Sequence, residues 1–393
     1  MARWPRQILF GDVDAMFASA AAVADPTLVG KLVAVGTPPP RGIITAASYA
    51  VRPFGVRSAM PTGQALRLCP GLILVPPNRP LYRRLHEQMR QVTDQWFPAT
   101  EWTSIDEFYA DTTDLQSLHP DPGALGRSIK EAIVAATGLH CTVAIATGKT
   151  VAKVAVDSHK PDGLAVIEPG AEATFLAPQP VRALPGIGPK SAAALETLGI
   201  HRVGNLLDPR HEPLLRQRWG NRFVAWQEAA RGIDRDPVVA DRESKSLGHE
   251  TTFDHDTNDI SFLEQALRGF LGELTHDLRS QGLAAGAFTV KLKDAGFRIT
   301  TRQRQFQKPL NYDPAMWPDI QAALRSLIRI RTRYRLVGLS LSHLGPATEG
   351  LFDQRREKAM AALDGLIDRH GSEVIRLGTK PSDDVSRQRP SAR

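Results

Sequence analysis

The sequence predicts a multidomain α+β protein with a mixed sheet covered by helices. Three observations carry that expectation. The 393 residues are too many for one ordinary core and suggest two to four domains. From Gln7 to Ser158, strand-like apolar runs alternate with helical periodicity, the pattern of a sheet with helices packed on it. Composition then changes after Pro169, and again at a charged stretch, Asp234 to Ser246, that has little apolar periodicity.

Taken in order, Gln7 to Phe10 reads as a strand that turns into a helix from Met16 to Val23. Lys31 to Gly36 is a second strand, Thr37 to Gly42 a proline-rich turn, and Ile43 to Ala46 a further extended run. Pro61 to Cys69 reads as a short helix and Leu72 to Val75 as a strand. Arg79 to Phe97 is a long helix because Leu81, Leu85, Met89 and Val92 recur along one face. Ser104 and Phe108 to Asp111 flank Asp106 and Glu107 in a strand–turn–strand pattern. A helix from Gly123 to Thr137, a strand from Cys141 to Ala146 and a helix from Lys149 to Ser158 follow.

Pro178, Pro180 and Pro185 mark a break, and short helices run on to about Gly232. A last domain is expected from Leu247 to His343. Its helix begins at Ser261-x-x-Glu264, the spacing of a capping box. Phe262, Leu263, Leu267, Phe270, Leu271, Leu274 and Leu278 form its apolar stripe. The run after Phe288 alternates like a half-buried strand, Arg298, Thr300, Arg302 and Arg304 share one face of the next, and Tyr334 to Ser342 is another. Gln354 to His370 reads as a helix, and the polar residues after it as disordered.

Composition narrows the class. No stretch approaches the roughly 20 apolar residues of a membrane span, so no membrane role is expected. The first residues lack the apolar core of a signal peptide. Two cysteines, Cys69 and Cys141, build neither a disulfide framework nor a zinc site and are expected as buried thiols. The expected compartment is the cytosol. A net charge of +7 suits a polyanionic partner such as nucleic acid.

The chemistry is carried by acids. Asp12 ends the apolar run from Ile8, and Asp106 with Glu107 precede Phe108 to Asp111. Two such strands side by side would bring three carboxylates together, a geometry that divalent cations relieve and that suits phosphoryl transfer. The alternative is two unrelated strand ends with solvated acids. Gly186 and Gly188, with Lys190 after them, open a helix that stops near Gly199. That resembles a helix-hairpin-helix element gripping a DNA backbone; the alternative is ordinary helix packing. Arg52, beside Tyr49, can clamp a phosphate or form a surface ion pair. Lys160 can neutralise phosphate or sit at a solvated helix end. The row Arg298, Arg302 and Arg304 lacks acids, which favours tracking of a DNA backbone over a plain solvated face.

Together these stretches resemble the Y-family DNA polymerases, bacterial DNA polymerase IV type. They are Asp12 to Phe17, Tyr49 to Pro61, Ser104 to Asp111, Ala152 to Gly163 and Leu184 to Gly188, and the similarity spans Gln7 to His343. The resemblance implies a right-hand architecture. The palm would be 1–15 with 77–168, the small fingers 16–76, the helical thumb 169–233, a linker 234–246, an α/β little finger 247–345, and a partly disordered tail 346–393. It implies a template-directed DNA polymerase of low fidelity that copies past damaged bases without proofreading. Asp12, Asp106 and Glu107 would hold two Mg2+ ions, with Mn2+ as the alternative and the Val13 carbonyl as a further ligand. Tyr49, Arg52 and Lys160 would bind the incoming dNTP. Phe17 matches the steric-gate position, and Asp14 is not a main metal ligand in the family. The expected partners are primer-template DNA and dNTP, for a monomer associated with the nucleoid.

The chain departs from the family's pattern at several places. Ala46 stands where a threonine is usual, which would weaken nucleotide affinity; Met16 stands where an aromatic is usual and Gly11 where a bulkier residue is, which would loosen the pocket around the templating pair. The tail has Thr348-Glu349-Gly350-Leu351-Phe352 without the leading glutamine of a sliding-clamp peptide, which argues against a clamp as partner. Two rivals stand beside the polymerase. A nucleotide cyclase would share the two-metal palm, and a non-catalytic DNA-binding accessory protein would explain the charge.

Overall fold

The computed structural model describes residues 3–240, 244–347 and 354–370. The chain folds as two compact units, Met1–Arg242 and Glu243–Arg393. In the first unit the elements run β1 (Ile8–Val13), α1 (Met16–Ala24), β2 (Val33–Gly36), β3 (Ile44–Ala47), α2 (Thr62–Leu68), β4 (Ile73–Val75), α3 (Arg79–Trp96), β5 (Thr100–Trp102), β6 (Glu107–Asp111), α4 (Pro122–Thr137), β7 (Cys141–Ala146), α5 (Lys149–His159), β8 (Leu164–Val166), α6 (Glu172–Leu176), α7 (Pro189–Glu196), α8 (Glu212–Trp219) and α9 (Asn221–Ala230).

The main sheet has the order β5-β6-β1-β7-β8, and a small sheet has the order β3-β2-β4. β1 and β7 are buried along their whole length, which is why both read as unbroken apolar runs rather than alternating ones. Period two then divides their side chains between two cores. Ile8 and Phe10 join Ala144 and Ala146 under α5, whereas Leu9 and Val13 join Val143 and Ile145 against α3 and α4. β1 does not stop at Phe10 as expected. It continues through Gly11 and Asp12 to Val13, because its ladder to β6 and β7 extends that far. Asn78 starts α3 by accepting from the Leu81 N–H at 3.1 Å, supplying one of the partners a helix start lacks. Cys69 and Cys141 are free and buried, and burial pushes the Cys141 thiol up to about 12.

The stretch expected as a linker is in part pinned to the main sheet. An Arg6 guanidinium nitrogen donates to the Asp234 carbonyl at 2.6 Å, and the other reaches the Asp236 carbonyl. The Thr150 N–H donates to Asp234 Oδ2 at 2.7 Å. The Val239 N–H donates to Glu101 Oε2 at 2.9 Å, and Glu101 is itself ion-paired with Lys149, both side chains being buried.

The second unit contains β9 (Ser246–Thr257), α10 (Ile260–Ser280), β10 (Leu283–Asp294), β11 (Ile299–Leu310), α11 (Asp313–Leu327), β12 (Tyr334–Pro346) and α12 (Gln354–His370). Its sheet has the order β11-β10-β12-β9 and is antiparallel throughout. Leu263, Leu267, Leu271, Leu274 and Leu278 of α10 bury the expected stripe against it. α11 was not anticipated, although Met316, Ile320 and Leu324 recur at helical spacing. Its interior Pro318 obscures the pattern. The expected capping box is not formed. Asp259 caps α10 by accepting from the Ser261 and Phe262 N–H groups at 2.8 and 3.2 Å, and Glu264 accepts from Arg325 at 3.0 Å instead. α12 docks on α10 through two hydrogen bonds from Arg279 to Asp364, at 2.7 and 2.6 Å. The segment Thr348 to Phe352 and the polar end after His370 lie outside the described residues.

Removing one partner of the buried Lys149–Glu101 pair strands the other charge. Glu101→Ala is expected to destabilise the protein by about 3–5 kcal/mol, which denaturant unfolding would measure. A loss below about 1 kcal/mol would contradict the pair's burial.

Candidate active site

The antiparallel register of β1 and β6 sets Asp12 directly opposite Glu107, so the two side chains leave the same face of the sheet. That face also carries Phe10 and Tyr109, whose rings meet at 4.4 Å beneath the acids. Asp106 closes the loop before β6. Its carbonyl accepts from the Val13 N–H at 3.0 Å, which ties the loop to the end of β1. Ser104 Oγ donates to Asp106 Oδ1 at 2.5 Å and accepts from the Glu107 N–H at 3.0 Å. His86 Nδ1 bonds the Ile105 carbonyl at 3.0 Å from α3. The acids are thus presented by a braced loop.

α5 crosses the same face and brings two lysines. Lys153 lies on the helix, and Lys160 caps its end with an extended backbone. Lys153 Nζ lies 2.8 Å from Glu107 Oε1, and Lys160 Nζ lies 2.5 Å from Asp12 Oδ2. Asp12 is almost fully buried. Burial raises its carboxyl to about 7 against the pull of Lys160, with the charges of Glu107 and Asp106 adding to the rise. Burial acts the same way on Glu107, but hydrogen bonds and charge from Lys153, with help from Thr103, hold that carboxyl below its ordinary range.

Among the described residues no three carboxylate, imidazole or thiol groups stand ready to grip one ion as they are placed. The donors nonetheless suit a hard divalent cation. They are all oxygen, and their excess negative charge is met here by two ammonium groups that occupy the place of positive charge.

Tyr49 and Arg52 belong to a 3-10 turn, Tyr49–Phe54. The Arg52 guanidinium lies 3.7 Å over the Tyr49 ring, close enough for a cation–π contact. The Tyr49 hydroxyl donates to Asp14 Oδ1 at 3.0 Å. Burial, with the Asp14 charge, pushes that phenol up to about 12. Phe17 is half-buried and stacks on Tyr82 of α3 with centroids 4.2 Å apart, so one ring serves the core and still shows an edge. On β3, Thr45 is exposed and Ala46 half-buried, on opposite faces as strand alternation requires. The Thr45 hydroxyl therefore does not replace the one missing at Ala46.

The expected slack at Gly11 is not there. A Cβ at Gly11 would lie 2.5 Å from the Phe108 ring, and Phe108 sits directly opposite in the ladder and is fully buried. The bulk is moved from one strand to its neighbour. Met16 is buried in the same core.

The remaining expected residues stand elsewhere. Gly186 takes a left-handed φ of 87° and turns the chain into α7. Leu184 and Ile187 are buried, whereas Gly188 and Lys190 are exposed. Arg298, Arg302 and Arg304 are exposed in the second unit. The register places Arg302 opposite Val290 and Arg304 opposite Phe288, both buried under the helices. The arginines therefore rim the helix-covered side of an edge strand, and Arg302 Nε donates to Ser326 of α11 at 3.3 Å. The open face of β11 carries Thr301, Gln303 and Gln305 instead.

Asp14 and Lys153 stand in the site although the sequence analysis gave them no role in it. The seven-residue spacing to Lys160 signalled Lys153. Nothing local signalled Asp14, whose partners lie 35, 128 and 148 positions away.

A family model described as the impB/mucB/samB family matches residues 11–157, and the model of its C-terminal domain matches 244–354. A model described as the IMS family HHH motif matches 169–200. The DNA polymerase IV of Halorhodospira halophila (strain DSM 244 / SL1) is 37% identical over 363 residues, 91% of this chain and 99% of that one. The DNA polymerase IV of Dehalococcoides mccartyi (strain CBDB1) is 33% identical over 379 residues, 95% and 97% of the two chains. Among solved structures, a Y-family DNA polymerase chimera of Dbh and Dpo4 matches with a TM-score of 0.80 at 25% identity, over 87% of this chain and 100% of that one. An insertion ternary complex of Dbh DNA polymerase matches with a TM-score of 0.64 at 25% identity, over 87% and 100%.

The exchange of bulk between Gly11 and Phe108 is testable. Gly11→Val is expected to cost about 1–3 kcal/mol by overpacking and Phe108→Ala about 3–5 kcal/mol by the cavity left. In the double variant the losses are expected to sum to less, because the valine fills part of that cavity. Strict additivity in denaturant titrations would contradict the exchange.

Proposed function

Because the chain belongs to the Y-family DNA polymerases of the DNA polymerase IV type, we propose that Asp12, Asp106 and Glu107 are its catalytic carboxylates and that Tyr49, Arg52, Lys160 and Phe17 receive the nucleotide. The protein is a template-directed DNA polymerase of low fidelity in translesion synthesis, acting on DNA and nucleotide. A nucleotide cyclase would need neither the glycine turn nor the second unit, and an accessory protein would not need the acids; the relatives match both. As a member of this family it depends on a divalent metal. The observation that carries the residue assignment is the β1–β6 register that stands Asp12 opposite Glu107, with Asp106 tied to Val13.

In this reading the three carboxylates, with the Val13 carbonyl, would hold two Mg2+ ions. Such ions, when bound, would activate the primer 3′-hydroxyl and neutralise triphosphate charge. Lys160 and Lys153, which pair with the carboxylates here, would then be free to meet phosphate. Arg52, held flat on Tyr49, presents two parallel donors to phosphate oxygens. The Phe17 edge left free by Tyr82 presses on the sugar and excludes a 2′-hydroxyl. The domain boundaries follow the same proposal, with the main sheet as palm, the small sheet as fingers, the helices after Pro169 as thumb and the second unit as little finger. The Gly186–Gly188 turn with Lys190, and the rim of Arg298, Arg302 and Arg304, supply sequence-independent phosphate contacts.

Asp106→Ala is expected to abolish primer extension while leaving DNA affinity unchanged, as measured by extension assays beside fluorescence anisotropy. Extension at the wild-type rate would overturn the carboxylate assignment. Phe17→Ala is expected to raise insertion of ribonucleotides relative to deoxyribonucleotides by at least about tenfold, the scale of one lost steric contact. Unchanged sugar discrimination would remove Phe17 from that role.

A further inference from the structure

We propose that Asp14 is a positioning residue for the incoming nucleotide: its carboxylate latches Tyr49 on one side of the pocket to the turn carrying Lys160 on the other. The inference rests on reading Tyr49 and Lys160 as nucleotide contacts. Asp14 is buried, 5% exposed, so it has no open side for an ion. Its oxygens are engaged by neutral donors. Oδ1 accepts from the Tyr49 hydroxyl at 3.0 Å and from Thr142 Oγ1 at 3.1 Å, and Oδ2 accepts from the Asp162 N–H at 2.8 Å. A carboxylate has about four lone-pair sites, and these donors fill most of them.

Each bond reaches a residue that the site needs in place. Tyr49 is the platform for the Arg52 guanidinium, so the Asp14 bond to the phenol fixes two nucleotide contacts. The turn from Lys160 to Gly163 is strained: Asp162 has a left-handed φ of 53°, a conformation that persists only where neighbours enforce it. A Cβ at Gly163 would lie 2.2 Å from the His159 carbonyl oxygen, so only glycine fits there. Asp14 enforces the turn through the Asp162 N–H. Thr142 adds a relay, since its Oγ1 accepts from the Gly163 N–H at 3.2 Å while donating to Asp14. From the outer side, Lys130 Nζ donates to the Asp162 and Gly163 carbonyls at 2.6 and 3.0 Å. Lys160 leaves this turn with its ammonium 2.5 Å from Asp12. One buried carboxylate therefore sets the spacing between the tyrosine–arginine platform and the lysine.

The test uses the full chain with primer-template DNA and single-nucleotide insertion kinetics. Asp14→Asn keeps the size but removes the charge and turns one acceptor into a donor, which opposes the Asp162 N–H or makes the Tyr49 hydroxyl accept where it now donates. The expected result is a rise of about tenfold in KM for dNTP, the effect of losing a hydrogen bond to a charged group, with kcat within about threefold by the same reasoning and with DNA affinity and unfolding temperature near wild type. Tyr49→Phe alone is expected to raise KM, and in the Asp14→Asn background to add little, because the two changes break one connection. A wild-type KM for Asp14→Asn, or effects that multiply independently, would overturn the latch. So would a variant that loses stability while its KM stays put. If Asp14→Asn does not fold, Thr142→Val cuts the relay with no new charge mismatch; a raised KM supports the latch and an unchanged KM overturns it. Lys160→Ala and Tyr49→Phe, run in parallel, separate the failures. If neither raises KM, the nucleotide-contact reading itself falls, whereas if both do and Asp14→Asn does not, only the latch falls.

Discussion

Like charge crowded at the lip of a buried sheet is the constraint on which the rest of the structure depends. β1 is paired on both sides, so Asp12 has no solvent into which to swing, and the register leaves it facing Glu107. Such an arrangement is unfavourable unless positive charge is brought to it. Lys153 of α5 and Lys160 just past its end meet that need. The same need suits the proposed binding of divalent cations and a triphosphate together. Carboxylates want cations, lysines want anions, and each can release the other when the substrates supply both.

Precision at this lip comes from the layers beneath and beside it. Below, Phe10 and Tyr109 form a ring pair on the acidic face, while Phe108 fills the space over Gly11 on the opposite face. Beside it, Ser104 and His86 brace the loop that carries Asp106. Backbone strain gathers here as well. Ala15 begins α1 with a left-handed φ of 47°, and Asp162 has 53°; both flank the proposed nucleotide contacts. Asp14 precedes Ala15 in the chain, and its carboxylate accepts from Tyr49, Thr142 and the Asp162 N–H.

The sequence made some of this legible and hid the rest for physical reasons. Buried strands announced themselves as apolar runs, and the acids at Asp12, Asp106 and Glu107 followed from them. The end of β1 was misjudged because the apolar run stops at Phe10, although pairing, which no local pattern reports, continues to Val13. The alternation of Arg302 and Arg304 was plain, but its face was not. Both faces of an edge strand are polar, and only Phe306, packed 5.0 Å from Phe288, fixes which side points to the helices. The charged run after Asp234 resembled a free linker because the bonds that hold it come from Arg6, Glu101 and Thr150, all distant in sequence. Asp14, which the family resemblance gives no main metal-ligand role, is likewise held by partners distant in sequence.

The proposed seating of divalent cations by Asp12, Asp106 and Glu107 can be read from Mn2+ bound to the full-length protein with primer-template DNA and a non-hydrolysable dNTP analogue, followed by electron paramagnetic resonance. Immobilised Mn2+ is expected in the wild type, and its loss in folded Asp106→Asn and Glu107→Gln variants. Mn2+ held as tightly by both variants as by the wild type would rule that seating out.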